Sequence, residues 1–258
     1  VTLYHLYGLA VDSDFDCPEL TPVTPGEAAA RGLARVEVRR ARVPLALPGA
    51  RSETPWMAVT PDAALYDFDG IARMLVERPG RITVELPPGA DAGDMRAYLF
   101  GHGFGTLVHM RGLIPLHVAA IQTPEGVVAY TGPSGAGKST RVAELHLRHG
   151  WPIICDDVAV LHPTDPAPLL HAGMNRIKLW RDALDRLGID PAGLIPDLTR
   201  TDKFHLIAPG MFVQQTLPLA RLMTLGAEGQ DRLRGAPAFA ALMQAVYKPE
   251  LGALFGPA

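Results

Sequence analysis

An α/β fold is what this chain predicts: a core on a mixed sheet over residues 112–258, preceded by a smaller, strand-rich α+β domain over residues 1–111. Three observations carry the prediction. The run Gly132, Pro133, Ser134, Gly135, Ala136, Gly137, Lys138, Ser139, Thr140 lies between an apolar strand pattern at 127–130 and a helical pattern at 141–149. A second short apolar run, 152–155, ends in Asp156 and Asp157, so strand, helix and strand succeed one another. Ahead of these, short segments of alternating apolar and polar residues recur between turn-rich stretches, as half-buried strands do.

Taken in order, residues 2–10 and 34–42 alternate as strands, and the Pro- and Thr-containing stretch 16–26 between them reads as loop. Residues 56–59, 64–68 and 81–85 are further short strands, the last preceded by a turn at 78–81. Residues 95–109 carry apolar residues at helical spacing, weakened by Gly101, Gly103 and Gly105. No strand leads into that glycine run and no lysine follows it, so it reads as a helix interruption or a point of close packing. From 114 the pattern changes. Residues 116–121 read as a strand, 123–126 as a hairpin turn and 127–131 as the strand feeding the 132–140 loop. Beyond 152–155, residues 158–161 read as a continuation of that strand, 163–168 as a turn and 180–187 as an amphipathic helix. Residues 201–209 read as a loop or edge strand, 219–225 as a strand and 237–247 as a helix.

The 132–140 run matches G-x-x-x-x-G-K-[ST], the pattern of a phosphate-binding loop. Its chemistry follows from the residue types. Glycines let the backbone curl so that successive N–H groups face phosphates, Lys138 reaches the β- and γ-phosphates, and the Ser139 hydroxyl coordinates Mg²⁺. ATP and Mg²⁺ are therefore the expected cofactors.

Composition narrows the class. A formal net charge of −3 on 258 residues leaves no basic footprint for nucleic acid, and 48% hydrophobic content suffices for a sizeable core. Cys17 and Cys155 lie far apart in no metal-type spacing, so neither a disulfide framework nor a zinc site is expected. No apolar run reaches membrane-spanning length and the N-terminus has no basic-then-apolar signal pattern. The cytoplasm is the expected compartment, with neither nucleic acid nor membrane as a partner.

Spacing supplies the second chemical signal. In a strand–helix–strand unit the two strands run the same way, so their C-terminal ends share one edge. The loop leaves that edge after the first strand and Asp156 and Asp157 end the second, facing a bound triphosphate and its metal. Phosphate-loop nucleoside triphosphatases need a carboxylate near Mg²⁺, and kinases need one to accept the attacking hydroxyl's proton. An Asp-Asp pair by itself reads as a turn or helix cap; the apolar strand before it and its place after the loop favour the site. His117 enters through the strand next to the one feeding the loop, where a satisfied core histidine is the ordinary alternative. Arg176, Lys178 and Lys203 are candidate phosphate or substrate contacts, the two lysines because the chain has only four.

Together, Leu116-His117, the 132–140 loop and Asp156-Asp157 resemble the catalytic core of the HPr serine kinase/phosphorylase family. The wider chain is similar to the HPr-kinase-related proteins encoded with lasso-peptide biosynthesis genes. That resemblance runs through Tyr7-Gly8-Leu9 with Asp12-Ser13, the segment Met110-Arg111-Gly112-Leu113-Ile114-Pro115-Leu116-His117, and Arg176-Ile177-Lys178-Leu179-Trp180. It implies an HPr-kinase-like fold with Asp157 as general base, Asp156 as its acidic neighbour near the metal and His117 assisting. No Glu-containing Arg-Gly signature follows Asp157. HPr kinases use that signature for Mg²⁺ and for docking HPr, so its absence turns the expectation away from HPr. The lasso-cluster resemblance implies as acceptor the C-terminal serine of a lasso precursor peptide, docked by the N-terminal domain, with a homo-oligomer left open. An HPr-like protein acceptor, or a nucleotide-dependent switch or hydrolase, remain the alternatives.

Overall fold

The computed structural model describes residues 2–164, 166–197, 200–226 and 232–255. Its first layer is a nine-stranded sheet formed by β1 (Thr2–Leu6), β2 (Leu9–Ser13), β3 (Thr21–Pro22), β4 (Ala34–Arg40), β5 (Arg51–Thr54), β6 (Met57–Val59), β7 (Ala63–Phe68), β8 (Ala72–Glu77) and β9 (Arg81–Glu85). Their order is β3-β1-β2-β4-β9-β8-β7-β6-β5, with β2–β4 and β4–β9 parallel and the other pairs antiparallel. Helix α1 (Pro25–Ala30) is started by a capping box in which Thr24 and Glu27 satisfy each other's backbone N–H.

The stretch 2–10, expected as one strand, is a hairpin. Tyr7 and Gly8, with φ of 54° and 75°, form a two-residue turn of the left-handed kind that suits right-twisted strands, and the chain reverses there. The expected 16–26 loop contains β3 and the start of α1. Strand β8, which the sequence reading left unassigned, buries Ala72, Met74 and Val76 on one face.

Across this sheet lie α2 (Ala92–Tyr98), a π-turn (Leu99–Gly103) and α3 (Phe104–Met110). The helix expected over 95–109 is therefore present, and the glycines mark a widened turn within it. A β-carbon on Gly103 would lie 2.7 Å from the Met74 sulfur, so glycine lets this turn sit directly on the sheet.

The second sheet comprises β10 (Ile114–Leu116), β11 (Ala119–Thr123), β12 (Gly126–Thr131), β13 (Ile153–Cys155), β14 (Ala159–His162), β15 (Leu169–His171) and one later strand described below. Helix α4 (Lys138–His149) connects β12 to β13. A small third sheet holds β16 (Arg176–Trp180), β17 (Ile195–Pro196) and β18 (Lys203–Ile207), with α5 (Arg181–Leu187) after β16. After a 3-10 turn (Pro209–Met211), β19 (Thr216–Thr224) returns to the second sheet, followed by α6 (Gly235–Ala245) and α7 (Pro249–Phe255). The seven-stranded order is β10-β14-β15-β19-β12-β11-β13. It is a mixed sheet, because β12 and β19 are parallel while the other neighbours are antiparallel.

Three expectations need correction here. Residues 116–121 do not form one strand: the chain breaks at His117 and Val118, leaving β10 and β11 at different places in the sheet. Residues 158–161 do not continue β13; a turn intervenes and β14 pairs with β10 and β15 instead. Residues 201–209 hold neither a loop nor an edge strand, since β18 is the central strand of the third sheet, between β16 and β17.

Packing ties these layers together. Val142, Ala143 and Leu145 of α4 share a buried cluster with Ile121 and Tyr130 on one side and Ile177, Leu179 and Leu184 on the other. Leu251 and Phe255 of α7 are buried in the core of the nine-stranded sheet, as are Val158, Val160 and Met174. Backbone bonds from Tyr7 N–H to the Ala172 carbonyl (3.1 Å) and from Asn175 N–H to that of Glu19 (2.8 Å) join the first sheet to the segment before β16. Cys17 and Cys155 are both free and buried. No helix among the described residues is long and apolar enough to cross a membrane.

Candidate active site

The loop between β12 and α4 is shaped by its glycines. Gly132 has φ 137°, and a β-carbon there would meet the Leu225 carbonyl oxygen at 2.7 Å, so the chain can leave β12 beside β19 only without a side chain. Gly137, at φ 89°, is the residue from which α4 starts. Among the described residues, the N–H groups of Gly135, Gly137, Lys138 and Ser139 donate to no protein acceptor. Those of Gly137, Lys138 and Ser139 are the unpaired donors that every helix start leaves, and that of Gly135 lies in the loop just before them, where the helix dipole is positive. Lys138 Nζ donates to the carbonyls of Gly132 (2.7 Å) and Pro133 (3.2 Å), holding the ammonium across the loop. Burial pulls the Lys138 pKa down and the Lys203 charge adds to this, while Asp156 and Asp157 oppose it.

Strands β12 and β13 are each antiparallel to β11, which lies between them, so they run the same way and their C-terminal ends share an edge. This brings Asp156 and Asp157 to the loop. Asp157 has φ 88°, a conformation disfavoured for a residue with a side chain, and it turns the chain out of β13. Gly173 packs against this turn: a β-carbon there would lie 2.4 Å from the Val158 carbonyl oxygen and 2.9 Å from the Cys155 β-carbon.

Lys178 grips both carboxylates. Its backbone N–H donates to Asp156 Oδ2 at 2.7 Å and its ammonium to Asp157 Oδ2 at 2.9 Å. His117 Nδ1 lies 3.4 Å from Asp157 Oδ1, too poorly aligned for a hydrogen bond but close enough for an ion pair when the imidazole is protonated. The break between β10 and β11 explains its position. The His117 N–H donates to the Ala245 carbonyl at 2.7 Å, and its ring stacks on Tyr247 at 6.3 Å.

The two acids have opposite electrostatics. Asp156 is 3% exposed, and burial raises its pKa against the opposing Lys178 N–H and Ser139 hydroxyl. Burial also pushes Asp157 upward, but His117 and Lys178 outweigh it and hold the carboxyl well below the usual range. Asp157 is therefore an ionised group at any ordinary pH.

A chamber of about 450 Å³ unites these parts, lined by Ser134, Gly135, Gly137, Lys138, Ser139, Thr140, Asp156, Asp157, His117, Lys178 and Lys203. Gly132, Pro133 and Ala136 support the loop without lining the chamber. Arg176 is not there. One face of β16 carries Arg176, Lys178 and Trp180 at alternate positions, and spans roughly 13 Å at the usual strand rise. Trp180 lines this chamber, Arg176 lines a second one, and Lys178 lines both.

Trp180, Asp182, Ala183, Arg186, Asp197, Arg200 and Tyr247 also line the 450 Å³ chamber and were not singled out from the sequence as site residues. The Arg200 guanidinium and Lys203 ammonium lie 5.8 and 5.6 Å from the Trp180 ring, an arrangement visible only once β16 and β18 are paired. Burial, with Lys178 adding to it, lowers the Lys203 pKa.

A divalent ion suits one corner of this chamber. No cluster of three or more His, Cys, Asp or Glu side chains able to hold a metal occurs among the described residues. Ser139 and Asp156 nevertheless provide hard oxygen donors, and the buried Asp156 carboxylate lacks a side-chain cation of its own among the described residues. Mg²⁺ is commonly held by one or two such groups together with phosphates and water, so this donor set fits it.

No family model matches this chain, and no curated protein matches it. Among solved structures it is similar to that of the HPr(Ser) kinase/phosphatase from Coxiella burnetii, at 16% identity and a TM-score of 0.31, over 46% of this chain and 69% of that one. A likeness that slight says nothing about activity.

Proposed function

We propose that this chain is an ATP- and Mg²⁺-dependent serine kinase, with residues 112–258 as its phosphate-loop catalytic core. One observation carries the reading: unpaired N–H groups at the start of α4, Lys138 and an ionised Asp157 held by Lys178 and His117 meet in one chamber. A switch needs only the first two; a fixed carboxylate beside them suits the proton of an attacking hydroxyl.

In this reading the 132–140 backbone and Lys138 hold the triphosphate, and Lys178 and Lys203 neutralise charge on the transferred group. Ser139 and Asp156 hold Mg²⁺, which when bound neutralises charge on the β- and γ-phosphates. The serine Oγ attacks the γ-phosphorus, the bond to the ADP oxygen breaks, and the hydroxyl proton passes to Asp157. Weak basicity suits this role, because in a loose transition state little proton transfer is needed before the phosphoryl group moves. His117 and Lys178 keep the Asp157 carboxylate ionised and oriented. By sequence resemblance the acceptor is the C-terminal serine of a lasso precursor peptide, with residues 1–111 helping to dock it in the cytoplasm.

Incubation with ATP, Mg²⁺ and candidate precursors, followed by mass spectrometry, is expected to add one phosphoryl group to a serine. Release of phosphate as the main activity, independent of any peptide, would overturn the reading in favour of a hydrolase.

A further inference from the structure

Beside Asp157 a second chamber of about 290 Å³ opens between the nine-stranded sheet's helical layer and the third sheet. Its lining includes Asp157, Lys178 and Tyr247, which also line the first chamber, so the two meet at the proposed base. Two of its polar groups lack partners. Arg176 is 7% exposed, and its guanidinium makes no hydrogen bond or ion pair to any described residue. Tyr7 is 2% exposed, and its hydroxyl is buried with no hydrogen-bond partner. A buried hydroxyl without a partner is costly, and the Arg176 guanidinium, which is not among the buried unpartnered atoms and so meets solvent, lines the same space.

The charge pattern selects the ligand. Two carboxylates line the chamber, and each already has a cationic or hydrogen-bonded partner: Lys178 at 2.9 Å from Asp157, and His205 Nε2 at 2.9 Å from Asp197. Burial lowers the His205 pKa, so Asp197 keeps its charge, and Arg176 and Lys178 together balance Asp157 and Asp197. Lys178 is paired with Asp157, whereas Arg176 has no hydrogen-bonded or ion-pair partner among the described residues and is the cation left to meet an anion. A phosphate dianion would face both neighbouring carboxylates with too little positive charge to hold it. A carboxylate monoanion matches one guanidinium, which can grip it with two parallel N–H bonds, and the Tyr7 hydroxyl can supply another donor. Phe100, Val158 and Met174 make the rest of the wall apolar, which suits the body of a short chain end.

We infer that this chamber seats the acceptor, and that Arg176 and Tyr7 bind a carboxylate carried next to the acceptor hydroxyl, as at a C-terminal serine. The inference rests on the kinase reading for the word acceptor, but its test does not require turnover. Calorimetry with Mg²⁺ and a non-hydrolysable ATP analogue compares three short peptides: one ending in serine as the free acid, the same peptide amidated, and an amidated one with aspartate before the serine.

The free acid is expected to bind about ten- to a hundredfold more tightly than its amide, and Arg176→Gln to erase that difference. The aspartate peptide tells a chain end from a side-chain carboxylate: binding as weak as the plain amide supports the chain end, and binding equal to the free acid overturns that part. Tyr7→Phe removes only an unpartnered hydroxyl. It is expected to fold at least as stably as the parent while weakening the free acid severalfold. Equal binding of acid and amide, no binding of the acid at millimolar concentration, or a preference that survives Arg176→Gln would overturn the inference. Carboxylate-selective binding without phosphorylation of any peptide would leave the chamber's role standing and defeat the kinase reading.

Discussion

The two chambers that meet at Asp157 differ in what one stretch of chain supplies. The first takes Ser134, Gly135, Gly137, Lys138, Ser139 and Thr140 from one continuous loop and helix start and completes its wall with side chains such as His117, Asp156, Lys178 and Lys203 from other elements. The second draws its lining from Tyr7 of the β1–β2 turn, from α2 and its π-turn, from Met174 and β16, and from Tyr247 near the end of the chain. A surface for phosphates can be written in one stretch because phosphates are alike in every nucleotide. A surface for a particular partner is assembled from distant side chains and can change without disturbing the loop.

Substitutions can break or sharpen that division. The largest effect is expected for Asp157→Asn, where the chambers meet: loss of a positioned base lowers transfer by about 10²- to 10⁴-fold. Equilibrium dialysis with labelled ATP should show nucleotide binding retained. Next is Lys138→Met, expected to lower kcat/KM by roughly 10²- to 10³-fold through lost charge stabilisation, while calorimetric binding of an acceptor peptide stays near the parent value. Peptide binding lost along with phosphate binding would mean that the chambers do not act separately.

The pH profile gives a subtler division. Asp157 titrates below the ordinary carboxylate value of 3.8, so the stability its ion pairs contribute is present above that value and is lost only as pH falls through the lower folded value. Asp157 should therefore give no acid limb in kcat/KM across the neutral range. Lys178→Met removes a cation that depresses this pKa, and the acid limb should move to higher pH. An unshifted profile would mean that Asp157 ionisation does not govern the rate.

The smallest effect is one of stability. Gly173→Ala forces a β-carbon against the Val158 carbonyl and should cost about 1–3 kcal/mol in urea unfolding. Gly210→Ala, with nothing within 4 Å, should fall within about 0.5 kcal/mol of the parent. Similar values for both would mean that the acidic turn relaxes freely.

The same contrast explains what the sequence revealed. The 132–140 loop, the acidic pair and the parallel direction of β12 and β13 were legible because adjacent residues determine them. His117 was singled out by its place beside the strand that feeds the loop and by resemblance, Lys178 and Lys203 by the scarcity of lysine, and all three line the first chamber. Arg176 was grouped with Lys178 and Lys203 as a cation for the same ligand, but it lies on β16 two residues from Lys178, and the face they share extends past one chamber into the next. The reversal at Tyr7 and Gly8, the break at His117 and the central position of β18 were hidden in apolar runs. Each depends on pairing or packing against residues far along the chain, which periodicity does not register.

The most direct test of the meeting point at Asp157 is a single-turnover experiment with γ-labelled ATP and a serine-terminated peptide, run on the parent and on Asp157→Asn. Label is expected on the peptide's serine with the parent, and nucleotide bound but almost no labelled peptide with the variant. Near-normal transfer by Asp157→Asn, or label appearing as free phosphate whether or not peptide is present, would contradict this expectation.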